Sequence, residues 1–420
     1  TWIRIQASWG SPAIHRLAEL ESQQHLLERQ LSLSTTPPPV SSPRDQHSRR
    51  CDLHGELLWQ PLLGRPALRQ RLLQVRGPQS RHSHDWYSGG SRLPPSREVP
   101  SFQWLDTERA LIRHPDGPDS VPRSGLSIRH GEQSYPYAAQ LVVYDLPDRD
   151  CAAAASNGEF SIANGGAANY RSYIDAIRKH IIEYSDIRII LVIEPDSMAN
   201  MVTNMNVAKC SNAASTYHEL TVYALKQLNL PNVAMYLDAG HAGWLGWPAN
   251  IQPAAELFAG IYNDAGKPAA VRGLATNVAN YNAWSIASAP SYTSANPNYD
   301  EKHYIEAFSP LLNSAGFPAR FIVDTGRNGK QPTGQQQWGD WCNVKGTGFG
   351  VRPTANTGHE LVDAFVWVKP GGESDGTSDT SAARYDYHCG LSDALQPAPE
   401  AGQWFQAYFE QLLTNANPPF

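Results

Sequence analysis

Ionisable and amide side chains gather at the ends of apolar runs in six places along this sequence. They are Asp145, Asp148 and Asp150; Glu194 and Asp196; Asp238 and His241; Asn277 and Asn280; Asp324 and Arg327; and Lys369, Glu373 and Asp375. One Asp after a strand is usually a helix cap or a turn residue, but six loaded strand ends are more than caps alone explain. Clustered carboxylates suit general acid–base chemistry, because burial or a neighbouring charge holds one protonated while another stays ionised. Aromatic residues accompany them: Trp244 and Trp247 share one Gly-rich turn, Asp238–Pro248 (DAGHAGWLGWP), in a chain with 12 tryptophans. Core packing absorbs some of those rings, but two in a single turn are less easily buried. Sugar rings stack their apolar C–H faces on such aromatic planes while their hydroxyls seek polar neighbours.

The elements that must position these groups alternate in type. Ala138–Pro147 (AAQLVVYDLP) reads as a buried strand running into a loop. Tyr170, Ile174, Ile177, Ile181 and Tyr184 recur at helical spacing. The β-branched run Ile187–Ile193 stops abruptly at Glu194-Pro195-Asp196. A helix near Ser215–Leu228 and a strand Val233–Leu237 repeat the pattern. Strands at Gly273–Val278, Arg320–Val323 and Ala364–Val368 follow, and a last amphipathic helix covers Gly402–Leu413. Alternation predicts a parallel sheet, and this many repeats predicts a barrel, whose strand carboxyl ends share one face. Two stretches, 150–166 and 370–397, show no periodicity; long structureless segments in a compact domain are usually functional.

Charge divides the chain. Residues 1–136 hold 17 Arg, no Lys and 13 acids, a net +4, whereas 137–420 carry 17 Lys plus Arg against 27 acids, a net −10. The acidic body argues against nucleic acid as a partner, since phosphate binding needs a basic face. The arginines of the basic front, the one alternative for a nucleic-acid arm, are scattered among Pro, Ser and His without aromatic interleaving. No run approaches the roughly 18–20 apolar residues of a membrane span. The first 20 residues have no apolar core of a signal peptide. Cys51 stands alone in the front part, while Cys151, Cys210, Cys342 and Cys389 lie in the body without CxxC or His spacing for a metal. Two disulfides in an oxidising compartment and four buried thiols are both open on this count.

At YDLPDRDC (144–151), VIEPDS (192–197), DAGHAGWLGWP (238–248) and WVKPGGESDG (367–376) the chain resembles glycoside hydrolase family 6, most of all its exo-acting fungal members. The resemblance runs from Tyr137 to Phe420, with an island at Val99–Thr107 (VPSFQWLDT). It implies an α/β fold, a distorted, partly open parallel (TIM-like) barrel whose long loops form an active-site tunnel. It further implies inverting hydrolysis of β-1,4-glucosidic bonds in cellulose, releasing cellobiose from non-reducing ends. Inversion needs a protonated acid at the leaving oxygen and room for a water opposite, with carboxyls about 6.5–9.5 Å apart. By the resemblance Asp196 is the acid, Asp150 the carboxylate that keeps it protonated, and Asp375 the base, directly or through a water chain. Ser156 holds the attacking water and Tyr144 crowds the sugar ring. Arg149, beside Asp150, would work against it, and the side-chain direction decides which prevails. Lys369 and Glu373 meet sugar hydroxyls and Asp238 supports the acid. Arg149, His241 and Asn280 join the substrate contacts, and Trp104, Trp244, Trp247, Trp341 and Trp367 supply ring platforms. The same match pairs Cys151 with Cys210 and Cys342 with Cys389.

Cellulose and cello-oligosaccharides are then the partners of a secreted monomer, with no cofactor, metal, nucleic acid or membrane. An endo-acting glucanase on the same scaffold and an inactive carbohydrate-binding homologue are the alternatives. The sequence also departs from the family. Residues 1–98, with the Pro/Ser/Thr tract Ser34–Pro43, read as a disordered extension or an out-of-frame stretch. Residues 99–136 read as a degraded start of the catalytic domain, which makes the placing of Trp104 an open matter, and 137–420 as the domain itself. A cellulose-binding module is not recognisable before the linker, and Ser374 stands where the exo-acting members carry a further cysteine.

Overall fold

Short apolar runs without polar alternation make the strands of a buried parallel sheet. In the computed structural model these are β1 (Gln103–Leu105), β2 (Ala138–Val143), β3 (Arg188–Ile193), β4 (Val233–Asp238), β5 (Val271–Thr276), β6 (Phe321–Asp324) and β7 (Val362–Val366). The structure describes residues 99–108, 138–185 and 187–420, all within one compact unit of the chain, 59–420. The readings of 1–98, of 109–137 and of Cys51 lie outside the described residues.

All seven strands pair in parallel in sequence order, β1 to β7. The sheet curls into a partly open barrel. Its edges β1 and β7 share no ladder; instead the Phe102 N–H donates to the Trp367 carbonyl at 2.9 Å and Trp104 Nε1 to the Val368 carbonyl at 2.9 Å. The strand period of two divides the side chains. Val142, Val192, Ala234, Tyr236, Ala275, Ile322 and Val366 pack with Phe102 inside the curl. Val143, Leu191, Ile193, Met235, Leu237, Leu274 and Val323 face outward onto helices.

The helices are α1 (Gly166–Glu183), α2 (Ser197–Thr203), α3 (Ala208–Gln227), α4 (Pro248–Asp264), α5 (Glu301–Ala315) and α6 (Gln406–Thr414). Four of them present apolar stripes to the sheet, with Tyr170, Ile174 and Ile177 on α1, Leu220 and Ala224 on α3, Phe258 on α4 and Phe308 on α5, while α6 packs Tyr408 and Leu412 against Phe349 and Trp367. The last three strands lie within two residues of expectation, and two helix starts differ from it for local reasons. The helix expected from Ser215 starts at Ala208, because its first turns bury the small residues Cys210 and Ala213, too small to show a period. The helix expected from Gly402 starts at Gln406, because Trp404 bridges to Glu373 and the Phe405 N–H donates to the Gly372 carbonyl at 2.7 Å.

Both expected disulfides are formed, Cys151–Cys210 and Cys342–Cys389. Each anchors one of the two long loops. These loops meet: the Ala154 N–H donates to Asp386 Oδ2 at 3.1 Å, and a Cβ on Gly376 would sit 2.9 Å from Ala155 Cβ.

Candidate active site

Every strand-end cluster lies at the carboxyl edge of the sheet, as a parallel barrel requires. The chain leaves β3 through Glu194 and Asp196, both with left-handed φ, 49° and 67°. Such backbone is costly for non-glycine residues and persists only where its surroundings enforce it. Carboxylates supply the enforcement here. Buried Glu194 accepts the N–H groups of Asp145 and Leu146 at 3.2 and 3.3 Å and the Tyr170 hydroxyl at 2.8 Å, tying the end of β3 to the end of β2. Asp238 accepts the N–H of Asp196 at 2.9 Å and that of Gly240 at 3.2 Å.

The Asp196 carboxyl is pushed well above the ordinary range, first by burial, then by the charges of Asp238 and Asp150; a hydrogen bond from Tyr144 opposes them. Burial also raises Asp238, against the two amide bonds it accepts. Those bonds favour its ionised form, so the proton of this pair rests on Asp196. Burial pushes Glu194 up to about 7 and Asp145 up to about 8, the latter against the pull of Arg149.

The loop after β2 brings Tyr144, Asp150 and Ser156 to the same edge. Asp150, with φ 54°, accepts the Ser156 N–H on Oδ2 at 2.9 Å. Lys209 Nζ holds this loop by the carbonyls of Arg149 and Asp150, at 3.2 and 3.3 Å, and by Asn157 Oδ1 at 2.6 Å. Burial raises the Asp150 carboxyl, and Asp386 adds to this, while the Ser156 N–H, Lys209 and Arg149 oppose it. Arg149 itself turns toward the barrel. Its Nε donates to the Ser156 carbonyl at 3.1 Å, its Nη1 to the Asp106 carbonyl at 3.0 Å, to Asp145 Oδ1 at 3.2 Å and to the Tyr144 carbonyl. Its guanidinium lies 4.2 Å from the Tyr144 ring centroid. Among the described residues Nη2 has no hydrogen-bond partner, and the pull of Arg149 on Asp196 ranks below the effects of Asp238 and Asp150. Trp104, in register with Val142, meets the Tyr144 ring edge-on at 5.3 Å, so β1 does carry it to the site.

Asp375 has a different environment. Arg327 Nη1 donates to both its oxygens at 2.8 and 2.7 Å, and Oδ2 also accepts the Tyr281 hydroxyl at 2.8 Å and the Asn343 N–H at 2.9 Å. Lys369 Nζ stands 3.8 Å from Oδ1 and 4.0 Å from Glu373. Burial alone would raise this carboxyl, but Arg327 and Lys369 outweigh it and hold it below the usual range. Burial raises Glu373, against Lys369. Ser374 is integrated where it stands, donating to the Pro399 carbonyl at 2.9 Å and accepting the Gly376 N–H at 3.2 Å.

The turn after β4 carries the aromatic pair. Trp244 Nε1 donates to Thr203 Oγ1 at 2.7 Å, Trp247 Nε1 to the Gly243 carbonyl at 2.8 Å, and Trp247 meets Trp338 edge-on. His241 lies beside Trp244, and burial lowers its pKa to about 4. Asn280 turns its Oδ1 onto the Tyr281 N–H at 2.7 Å. Trp341 takes the Tyr281 hydroxyl on its carbonyl, beside Asp375, and its ring meets His388. Trp367 is buried and stacks on Phe349, which makes it a core residue, contrary to the platform expected of it.

Several residues of the site escaped the sequence. Tyr281, Asn343 and Lys209 bind the carboxylates and their loops, and their one signal was adjacency to Asn280, Cys342 and Cys210. Asn282 and Glu301 gave none. Among the described residues no cluster of His, Cys, Asp and Glu is arranged to hold a metal ion.

A family model described as "Glycosyl hydrolases family 6" matches residues 88–416. Exoglucanase-6A of Humicola insolens is 76% identical over 327 residues, 77% of this chain and 67% of its own length. A 1,4-beta-D-glucan cellobiohydrolase of Podospora anserina is 73% identical over 77% of this chain and 66% of its own. The match thus spans about two thirds of these relatives. The solved catalytic core of a cellobiohydrolase from Chaetomium thermophilum superposes with a TM-score of 0.74 at 80% identity, over 77% of this chain and 89% of that one. A Humicola insolens cellobiohydrolase II, solved with glucose and cellotetraose, gives a TM-score of 0.74 at 71% identity, over 79% and 93%.

Proposed function

Because the chain belongs to family 6 of the glycosyl hydrolases, we propose that it hydrolyses β-1,4-glucosidic bonds of cellulose with inversion, releasing cellobiose from non-reducing ends. The observation that carries this reading is the placing of the Asp196 carboxyl at the carboxyl edge of the barrel, where burial and the charges of Asp238 and Asp150 raise its pKa and favour the protonated form. Asp196 gives its proton to the glycosidic oxygen as the C1–O bond breaks. A water held near Ser156 adds its oxygen to C1 from the opposite face, which inverts the anomeric centre. The proton released by that water passes toward Asp375. Because Asp375 is kept ionised by Arg327 and its oxygens already accept four hydrogen bonds, the proton is better relayed through an intervening water than taken directly.

Asp150 keeps Asp196 protonated, and Tyr144, backed by Trp104 and Arg149, presses on the ring at the cleavage point. Trp244, Trp247 and Trp341 offer aromatic faces, while Lys369, Glu373, His241 and Asn280 offer polar contacts to hydroxyls. Exo action is supported by the contact between the two long loops, which spans from Ala154 to Asp386. Two disulfides suit a secreted protein, and we assign it as a monomer.

The test is product analysis on cello-oligosaccharides and cellulose. The reading expects cellobiose appearing first as the α-anomer, with hydrolysis abolished in Asp196→Ala. Retained configuration, rapid viscosity loss from internal cuts, or an Asp196→Ala variant as fast as wild type would overturn it.

A further inference from the structure

We propose that Asn282 is a positioning residue, fixing the His241 imidazole as the neutral tautomer with its proton on Nε2, so that this nitrogen donates to a hydroxyl oxygen of the bound sugar. The inference rests on the reading of His241 as a sugar contact and deepens it.

The case is one of donors and acceptors. Asn282 is buried, and its Oδ1 faces Trp338 Nε1 at 2.7 Å. An indole nitrogen can only donate, so the atom it meets must be the amide oxygen, and the other atom of the amide must be nitrogen. That nitrogen lies 2.9 Å from Glu301 Oε1 and 3.2 Å from His241 Nδ1. The Gly243 N–H also donates to His241 Nδ1, at 3.2 Å. With two donors aimed at it, Nδ1 must offer its lone pair, and the ring proton belongs on Nε2.

Asn282 cannot turn to relieve this. Its N–H donates to Asn277 Oδ1 at 3.0 Å, and its carbonyl accepts Asn277 Nδ2 at 3.1 Å and Asn328 Nδ2 at 3.0 Å. Glu301, the titratable group of the network, also accepts the Ala242 N–H on Oε1 at 2.9 Å, while among the described residues its Oε2 meets no donor at hydrogen-bond distance, though the nearby Thr276 hydroxyl favours the ionised carboxylate. Oε2 can therefore carry a proton without disturbing Oε1, and the arrangement survives either state of Glu301. His241 Nε2 has no hydrogen bond to protein among the described residues, and the ring is half-buried beside Trp244. Burial keeps it neutral down to about pH 4. A neutral donor of this kind recognises a hydroxyl oxygen without bringing a charge into the cleft.

The experiment is nitrogen NMR of 15N-histidine-labelled protein, with the His241 signals assigned by their loss in His241→Ala. Wild type is expected to show a bare Nδ1 and a protonated Nε2 at mildly acidic and at neutral pH, with Nε2 shifting when cellobiose is added. A protonated Nδ1, or an imidazolium, in the wild-type spectrum overturns the inference whether or not any variant folds. In Asn282→Asp a carboxylate faces Nδ1 and is expected to draw the proton there. KM for cello-oligosaccharides should then rise roughly three- to tenfold, as for one lost hydrogen bond, while kcat moves far less. If His241→Ala leaves KM unmoved, the reading of His241 as a sugar contact fails. If His241→Ala raises KM but Asn282→Asp changes neither tautomer nor KM, the role of Asn282 fails by itself.

Discussion

Replacing Arg327 by Met separates the two functions that its ion pair with Asp375 serves. Arg327 is 1% exposed and its partner 7%, so the variant leaves a buried carboxylate short of its main counter-charge. Breaking a buried pair from one side costs about 3–5 kcal/mol. Asp375 would keep the Tyr281 hydroxyl at 2.8 Å, the Asn343 N–H at 2.9 Å and Lys369 at 3.8 Å, which places the loss near the lower end, about 3 kcal/mol. At about 2.1 cal/mol/K of unfolding entropy per residue, a domain this large shifts by about 1.5–2 °C per kcal/mol, so thermal unfolding followed by circular dichroism should fall by about 4–6 °C. Adding Asp375→Asn removes the stranded charge, and the double variant should lose less than the two single losses together, by about 1–3 kcal/mol. The pH dependence has a definite sign. Asp375 is held below the ordinary carboxylate range, so its contribution is present above that range and is lost as pH falls through the folded-state value. Without Arg327 that loss, and the acidic limb of kcat that Asp375 sets as the proton's final acceptor, should both begin at higher pH. Additive losses in the double variant, or a melting point within a degree or so of wild type, would refute the reasoning. An acidic limb that stays in place while stability falls would exclude Asp375 as the proton's acceptor, whether directly or through water.

Three further perturbations read other parts of the site. Asp196→Asn should lower kcat on cello-oligosaccharides by about 10²–10⁴, while calorimetric binding of cellobiose persists; loss of binding would instead mark the change as structural. Asp386→Ala removes the acceptor of the Ala154 N–H and should raise the share of internal cuts, measured as insoluble over soluble reducing ends; an unchanged ratio would assign the enclosure to other contacts. Cys342→Ser with Cys389→Ser opens a loop with a separation of 47 residues. Chain entropy puts the loss at about 4 kcal/mol, which denaturant unfolding would show, and a loss below about 1 kcal/mol would point to a loop held by its hydrogen bonds.

The sequence made the scaffold readable because runs such as Ile187–Ile193 end at an abrupt Glu-Pro-Asp, and because parallel strands must bring such ends to one face. The α1 stripe was equally plain, with Tyr170, Ile174, Ile177 and Ile181 all buried. Less was readable for α4 and α5, which carry Pro253 and Pro310 inside them. What pattern could not supply was direction. Arg149 follows Asp148 and precedes Asp150 in the chain, yet its guanidinium serves Asp145 and Tyr144. Arg327 and Asp375 are 48 residues apart, and nothing in either neighbourhood announces the other. Asn282 lies two residues past a foreseen contact and has the larger network. Burial set several of these carboxyl values, and burial is a property of the folded arrangement rather than of any local window.

The barrel also has a seam. Six of its junctions are ladders, whereas among the described residues β1 and β7 are clasped by one peptide hydrogen bond from Phe102 and one indole hydrogen bond from Trp104. A clasp of two bonds can part without disturbing a ladder, so the Phe102 amide should exchange with solvent well before those of β3 and β4, which are flanked on both sides. Trp104 is also the ring that braces Tyr144. Opening at the seam would therefore also release the ring that braces Tyr144, the residue we propose at the cleavage point.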